Sequence, residues 1–199
     1  MTVEAVVWDI GDVLVEWRPA LAWSPEIGLD AAHAFIERID FAALNLRADG
    51  GERFADLAQE VADPDDRARL AAYPALYVRT VQGRVPGSWD ILHDLKATGV
   101  QIHAITNWSA ETWAPGTEVH PELDRVFGTL VVSGREGLIK PDPAIFRLLC
   151  DRAGLSPEQC LFVDDKMHNV DGARAIGMAG HHFTGAAGLR QDLVERGLL

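Results

Sequence analysis

Lysine is nearly missing from this chain. Its 199 residues include three lysines, Lys96, Lys140 and Lys166, against fifteen arginines. In a chain that otherwise chooses Arg for positive charge, each remaining Lys is worth placing. Cysteine is equally scarce. Cys150 and Cys160 form no CxxC pattern, which argues against a zinc site and a disulfide framework. Positive charge is short overall. A net charge of −12 argues against a nucleic-acid surface, because phosphate backbones are held by Lys and Arg. No apolar run approaches membrane length. The first residues carry Glu4 and Asp9 and lack the basic segment of a signal peptide. The expectation is a cytoplasmic protein with neither a membrane nor a nucleic-acid partner. The GxGxxG and GxxxxGK[ST] fingerprints are absent too, so no nucleotide cofactor is implied.

What the chain does have is apolar substance. Hydrophobic residues make up 48%, enough for one core domain with a modest insertion. Val3, Ala5, Val6, Val7 and Trp8 read as a buried strand. The run stops at Asp9, with Gly11 two residues on. An unpaired buried carboxylate is costly, so a metal or a cation is expected nearby. Residues 17 to 85 then turn helical. Asp30 is expected to cap a helix with Phe35, Ile36, Ile39 and Ala43 inward. Phe54, Leu57, Ala58 and Val61 follow the helical period, and a further helix is expected from about Asp65, ended or kinked by Pro74.

From Pro86 strands and helices alternate. Ser88 is expected to cap a helix holding Ile91, Leu92 and Leu95, with Gly99 after its end. Val100 to Ile105 reads as a strand ending at Thr106-Asn107. Pro121 to Phe127 reads as a helix, Thr129 to Val132 as a short strand, and Gly134 to Pro143 as a loop. A helix over Ala144 to Ala153 follows, then a capping box at Ser156-Pro157-Glu158-Gln159. Leu161 to Val163 reads as a strand running into Asp164-Asp165. Helices over Val170 to Ile176 and Leu189 to Arg196 flank a last strand, Ala179 to Phe183. This alternation predicts an α/β fold, a Rossmann-like doubly wound parallel sheet. Residues 1–16 and 86–199 would form the core, and 17–85 a small all-helical cap.

In such sheets the ligand crevice lies beyond the C-terminal strand ends. There the chain would gather Asp9, Thr106-Asn107, Lys140 and Asp164-Asp165. That set suits phosphoryl transfer to a carboxylate. Asp9 and Asp165, with Asp164 beside them, could hold Mg²⁺. Lys140 and the metal would offset phosphoryl charge, and Thr106 would donate a hydrogen bond. Asp9 would attack phosphorus. The partner is then a small phosphorylated substrate, with Asn107, Gly11 and Asp12 beside it.

These residues also carry a resemblance. Asp9-Ile10-Gly11-Asp12-Val13, the strand closed by Thr106-Asn107, Lys140-Pro141-Asp142-Pro143, and Phe162-Val163-Asp164-Asp165 with Asn169 and Gly172-Ala173 resemble the four ordered motifs of the haloacid dehalogenase (HAD) superfamily. The likeness covers essentially the whole chain. It implies a Rossmann-like core, a helical cap after the first motif and an Asp9 nucleophile. The family's usual second aspartate of the first motif, its general acid/base, is Gly11 here. Its carbonyl can serve the metal, but it cannot protonate a leaving group. Asp12 and a metal-bound water are alternative proton sources. A branch resembling sugar-1-phosphate phosphatases shares the Asp-x-Gly-x-Val pattern. A metal-free 2-haloacid dehalogenase, which also lacks the second aspartate, and a non-catalytic binding or signalling scaffold are the competing readings. His168 and the pair His181-His182 match no metal spacing and read as structural. Trp108, Trp113, Trp17 and Trp23 fit a substrate entrance or simple packing equally well.

Overall fold

The computed structural model describes residues 3–199. Five parallel strands form one sheet: β1 (Ala5–Trp8), β2 (Gln101–Thr106), β3 (Leu130–Val132), β4 (Cys160–Asp164) and β5 (Ala179–His182). Their order is β3-β2-β1-β4-β5. All four residues of β1 are fully buried, as expected of a central strand covered on both faces. Successive side chains go to opposite faces. Val6, Trp8, Leu161 and Val163 join one apolar cluster, while Ala5, Val7, Cys160 and Phe162 join the other. Helices Ser88–Thr98 and Ala186–Glu195 pack on the first face through Leu92, Leu95, Leu189 and Leu193. Helices Pro143–Ala153 and Met167–Ala175 pack on the second through Ile145, Phe146, Leu149 and Ala173. The doubly wound fold is therefore as expected.

The chain reverses direction across the sheet at β1. From there β2 and β3 grow one way, and β4 and β5 the other. That is the switch point where crevices form. Trp8 lies level with Val163 of β4, and Asp9 N donates to Val163 O at 2.8 Å. Asp9 and Asp164 therefore leave neighbouring strands at the same height.

Between β1 and the helix at Ser88 the chain makes a helical block. Its longer helices are α1 (Leu29–Arg38), α2 (Phe41–Asp49) and α3 (Pro64–Ala71). The expected single stripe from Phe35 to Ala43 is broken. Asp40 takes a left-handed conformation, φ 49°, so α1 ends at Arg38 and Ala43 belongs to α2. Asp30 lies inside the first turn of α1, with Gly28 in the cap position. At α3 it is Asp63 that caps, accepting from Asp65 N and Asp66 N. Trp23, Phe35, Phe41, Phe54 and Tyr73 give the block its own aromatic centre, with Trp23 stacked on Tyr73 at 5.1 Å. The two connections to the core run side by side. Glu16 N donates to Gly83 O at 2.9 Å and Val85 N to Leu14 O at 3.0 Å.

Three further expectations fail locally. Ser88 is the first residue of its helix rather than its cap. Gly87 holds that position in a left-handed conformation, and Ser88 Oγ is buried without a partner. Pro121 to Phe127 forms turns, and the helix lies earlier, at Ala110–Val119. Pro115 and Gly116 inside it hide it from propensity. Gly116 is there for packing, because a Cβ would lie 2.5 Å from the Trp108 ring. The stretch after β3 opens with a helical turn, Ser133–Glu136, before the loop.

Gly134 in that turn is equally tight. A Cβ would lie 2.9 Å from Trp108 O and 3.0 Å from Ser109 C, and closer still to Ala110 N. These are backbone atoms and cannot swing away. Gly134→Ala is expected to cost about 1–3 kcal/mol, as other overpacking does. Thermal unfolding should register it as a loss of about 2–12 °C.

Candidate active site

Three strand ends and one loop meet at the crevice. The Lys140 ammonium, about 1% exposed, lies 2.7 Å from Asp9 Oδ1 and 2.7 Å from Asp164 Oδ2. The loop carrying it is pinned to the end of β2. Lys140 N donates to Asn107 Oδ1 at 2.8 Å, and Asn107 Nδ2 donates to Lys140 O at 3.1 Å. Asn107 thus places the lysine.

Asp164 is fully buried and fully engaged. Its Oδ1 accepts from Lys166 N at 2.7 Å, and Asn169 Nδ2 lies 3.1 Å from both oxygens. Asp165 is half-buried and pairs with Lys166 Nζ at 2.8 Å. Asp9 gives Oδ1 to Lys140, and its Oδ2 has no hydrogen-bond partner among the described residues. Burial pushes the Asp9 carboxyl up, and the Lys140 charge pulls against it. Burial also works to lower the Lys140 pKa, but the charges of Asp9 and Asp164 outweigh it, and the lysine stays protonated.

One carboxylate oxygen from each of Asp9, Asp164 and Asp165 lies within 4.8 Å of the other two. Oxygen donors carrying this much negative charge suit a hard divalent cation. A cavity of about 390 Å³ opens above them. Asp9, Asn107, Lys140 and Asp165 form its floor, together with Gly11 and Asp12. Thr106, at the end of β2, is buried and is not among the residues that line the cavity. Asp12 reaches the wall, but its Oδ1 accepts from Trp17 N at 3.0 Å and from Arg18 Nη1 at 3.1 Å. Its left-handed backbone, φ 54°, turns the chain back toward the helical block.

The roof comes from that block. Ala42, Asn45, Leu46 and Asp49 of α2, spaced i, i+3, i+4, i+7, present one helix face to the cavity. Trp17, Tyr77, Val81 and Trp108 complete the sides. Of the tryptophans, Trp17 and Trp108 line the cavity. Trp113 is core, its Nε1 on Asp124 Oδ1 at 3.1 Å, and Trp23 sits in the block's aromatic centre. His181 pairs with Asp192 at 2.9 Å and His182 with Asp165 O at 3.1 Å. His168, read as structural, lines the cavity.

Residues missed from the sequence are Asp49, Asn45 and Tyr77. Asp49 is 8% exposed, and burial pushes its carboxyl up to about 8. The Ser109 backbone N–H and the charge of Lys140 pull it down, and Asp9 adds to the rise. The spacing of the α2 face was available, but a carboxylate on an amphipathic helix ordinarily signals solvent.

A model of haloacid dehalogenase-like hydrolases matches residues 3–177. The chain belongs to this family. As a HAD-like hydrolase it has phosphatase relatives along most of its length. It is 26% identical over 184 residues to the sesquiterpene phosphatase astK of Aspergillus oryzae, covering 92% of this chain and 91% of that one. It is 28% identical over 188 residues to a phosphoglycolate phosphatase of Pseudomonas putida, covering 87% and 66%. A HAD family enzyme of Bacteroides thetaiotaomicron, solved as a magnesium complex, shares the fold with a TM-score of 0.72 at 18% identity, covering 93% and 95%. The family, the buried lysine and the acidic cluster make this HAD-like hydrolase one of the phosphatase type. Among the described residues no helix is long and apolar enough to cross a membrane.

Proposed function

We propose that this enzyme is a Mg²⁺-dependent phosphomonoesterase of small phosphorylated metabolites, working through an aspartyl-phosphate on Asp9. The observation that carries it is the single ammonium of Lys140 held 2.7 Å from both Asp9 and Asp164 at the sheet's switch point. Asp9 Oδ2 is the attacking atom. Lys140 holds Asp9 in place and faces the developing charge of the phosphoryl group. Asp164 keeps the lysine protonated and positioned, and Asn107 fixes its loop. Asp9, Asp164, Asp165 and the Gly11 carbonyl are the proposed metal ligands. Bound there, Mg²⁺ would supply charge neutralisation for the phosphoryl oxygens.

Residues 17–85 act as a cap in this reading. The cavity between their α2 face and the strand ends, and the paired connections at Leu14–Glu16 and Gly83–Val85, support it. Cys150 and Cys160, both buried free thiols, fit the proposed cytoplasmic location. A sugar phosphate remains the first substrate to try. The Trp17, Tyr77, Val81 and Trp108 walls also suit a less polar alcohol portion, so a terpenyl phosphate belongs in the same panel.

The test is phosphate release from that panel with Mg²⁺ and with excess EDTA. Release that needs Mg²⁺ is the expected result. Metal-independent halide release from 2-chloropropionate, with no phosphate released from any ester, would instead establish the dehalogenase reading.

A further inference from the structure

The cavity contains a carboxyl that the scheme above leaves idle. Asp49 ends α2 and faces the strand ends from the cap side. Its Oδ2 accepts from Asn45 Nδ2 at 2.9 Å. It caps no helix and pairs with no Lys or Arg among the described residues. Its backbone is tied to the core, because Ser133 Oγ donates to Asp49 O at 2.6 Å. The next residue, Gly50, lies beside the loop that carries Lys140, where a Cβ on it would sit 3.7 Å from Ile139 Cγ2. The fold therefore spends stability to bury a carboxyl at a fixed point of the cavity.

The floor offers no free carboxyl to protonate the leaving oxygen. Gly11 has no side chain, and Asp12 is held by Trp17 N and by the charged Arg18. Attack by Asp9 displaces the leaving oxygen roughly in line, away from the floor. That direction leads toward the α2 face. An alkoxide leaving into a cavity with apolar walls needs a proton as the P–O bond breaks.

We propose that Asp49 is the general acid–base of this enzyme, protonating the leaving oxygen from the cap side. The proposal rests on the phosphatase reading above. As the bond from Asp9 Oδ2 to phosphorus forms, the P–O bond to the alcohol breaks. The Asp49 proton passes to that oxygen, the alcohol departs and Asp49 is left as a carboxylate. Water then attacks phosphorus and gives a proton to Asp49. The bond to Asp9 breaks, phosphate leaves and both carboxyls are restored.

Burial keeps Asp49 protonated near neutral pH, as an acid requires. The groups facing it are Asp9 and Lys140 from the core and Tyr73 and Tyr77 from the cap. Burial pushes both phenols above their ordinary value, so they stay neutral. Activity that needs the acid should fall as pH rises through the Asp49 pKa.

The experiment compares hexyl phosphate, a poor leaving group, with p-nitrophenyl phosphate, which leaves without a proton. Asp49→Asn is expected to lower kcat/KM on hexyl phosphate about 100-fold or more. On p-nitrophenyl phosphate kcat/KM, which ends at phosphorylation of Asp9, should change by no more than about threefold, while kcat, which includes hydrolysis of the aspartyl-phosphate, should fall. The basic limb of the wild-type profile on hexyl phosphate should vanish in the variant, and Asp49→Glu should restore part of the rate. Equal losses of kcat/KM on both substrates, or an unchanged basic limb, would overturn the assignment while leaving the phosphatase reading intact. A wild type that releases phosphate from neither ester would overturn both. If Asp49→Asn does not fold, Asp49→Ser gives the same comparison.

Discussion

Asp9→Asn is expected to reduce phosphate release by about 10⁴-fold or more, the scale of losing a covalent nucleophile. The amide keeps the shape of the side chain and one oxygen near Lys140. It loses the negative charge and the nucleophilic oxygen together. The other carboxylates at the crevice are committed elsewhere: Asp164 to Lys140, Lys166 N and Asn169, Asp165 to Lys166, and Asp12 to Trp17 N and Arg18. The fold should survive. Asp9 lies beyond the last residue of β1, and Asn relieves a buried charge rather than creating one. Thermal unfolding of the variant should match or exceed that of the wild type. Phosphate release that persists within tenfold of the wild type would place the nucleophile elsewhere.

Lys140→Met is expected to cost the fold about 3–5 kcal/mol, the usual penalty when one partner of a buried ion pair is removed. Methionine fills a similar volume, so packing alone predicts a small change. The charge decides the outcome. Asp164 is fully buried and Asp9 nearly so, and both share one ammonium. Without it, two carboxylates face each other in a poorly solvated site, and one must take up a proton. Such a carboxyl has its folded pKa raised, so it contributes stability at low pH that is lost as pH rises. The deficit of Lys140→Met should therefore shrink on acidification. Urea unfolding at two pH values reads both effects. Adding Asp164→Asn to Lys140→Met should recover part of the loss, since the two changes act on one network. A deficit below about 1 kcal/mol at neutral pH, the level of an exposed pair, would show that the lysine is not the charge that balances the site.

Much of this protein was legible along the chain. An unbroken apolar run of four residues ending at Asp9 has few alternatives to a central strand with its carboxylate at the crevice. The period-2 split of β1 and β4 between two apolar clusters follows from the same pattern. The motifs at Thr106-Asn107, Lys140 and Asp164-Asp165 could be ordered against Asp9 without coordinates. Each is a local signal, fixed by near neighbours in sequence.

Local signals also misled, and always for the same kind of reason. The helix at Ala110–Val119 carries Pro115 and Gly116, which propensity counts against it, yet Trp108 needs the bare face at Gly116. Ser88 has the side chain of a cap, yet Gly87 takes the position because the chain turns there in a left-handed conformation. Asp49 reads as a solvent-facing carboxylate on an amphipathic helix. It is buried because the end of α2 is tied to Ser133, a residue far away in sequence.

By itself, then, the sequence determined which strands are central, which face each strand residue takes and where on the sheet the charged groups gather. These follow from the two-residue alternation of strands and from the cost of burying charge. Tertiary structure alone decided that one lysine bridges two aspartates, and that the helical block places a buried carboxyl opposite them. Side-chain periodicity describes one element at a time, whereas burial and proton affinity depend on what another element brings against it.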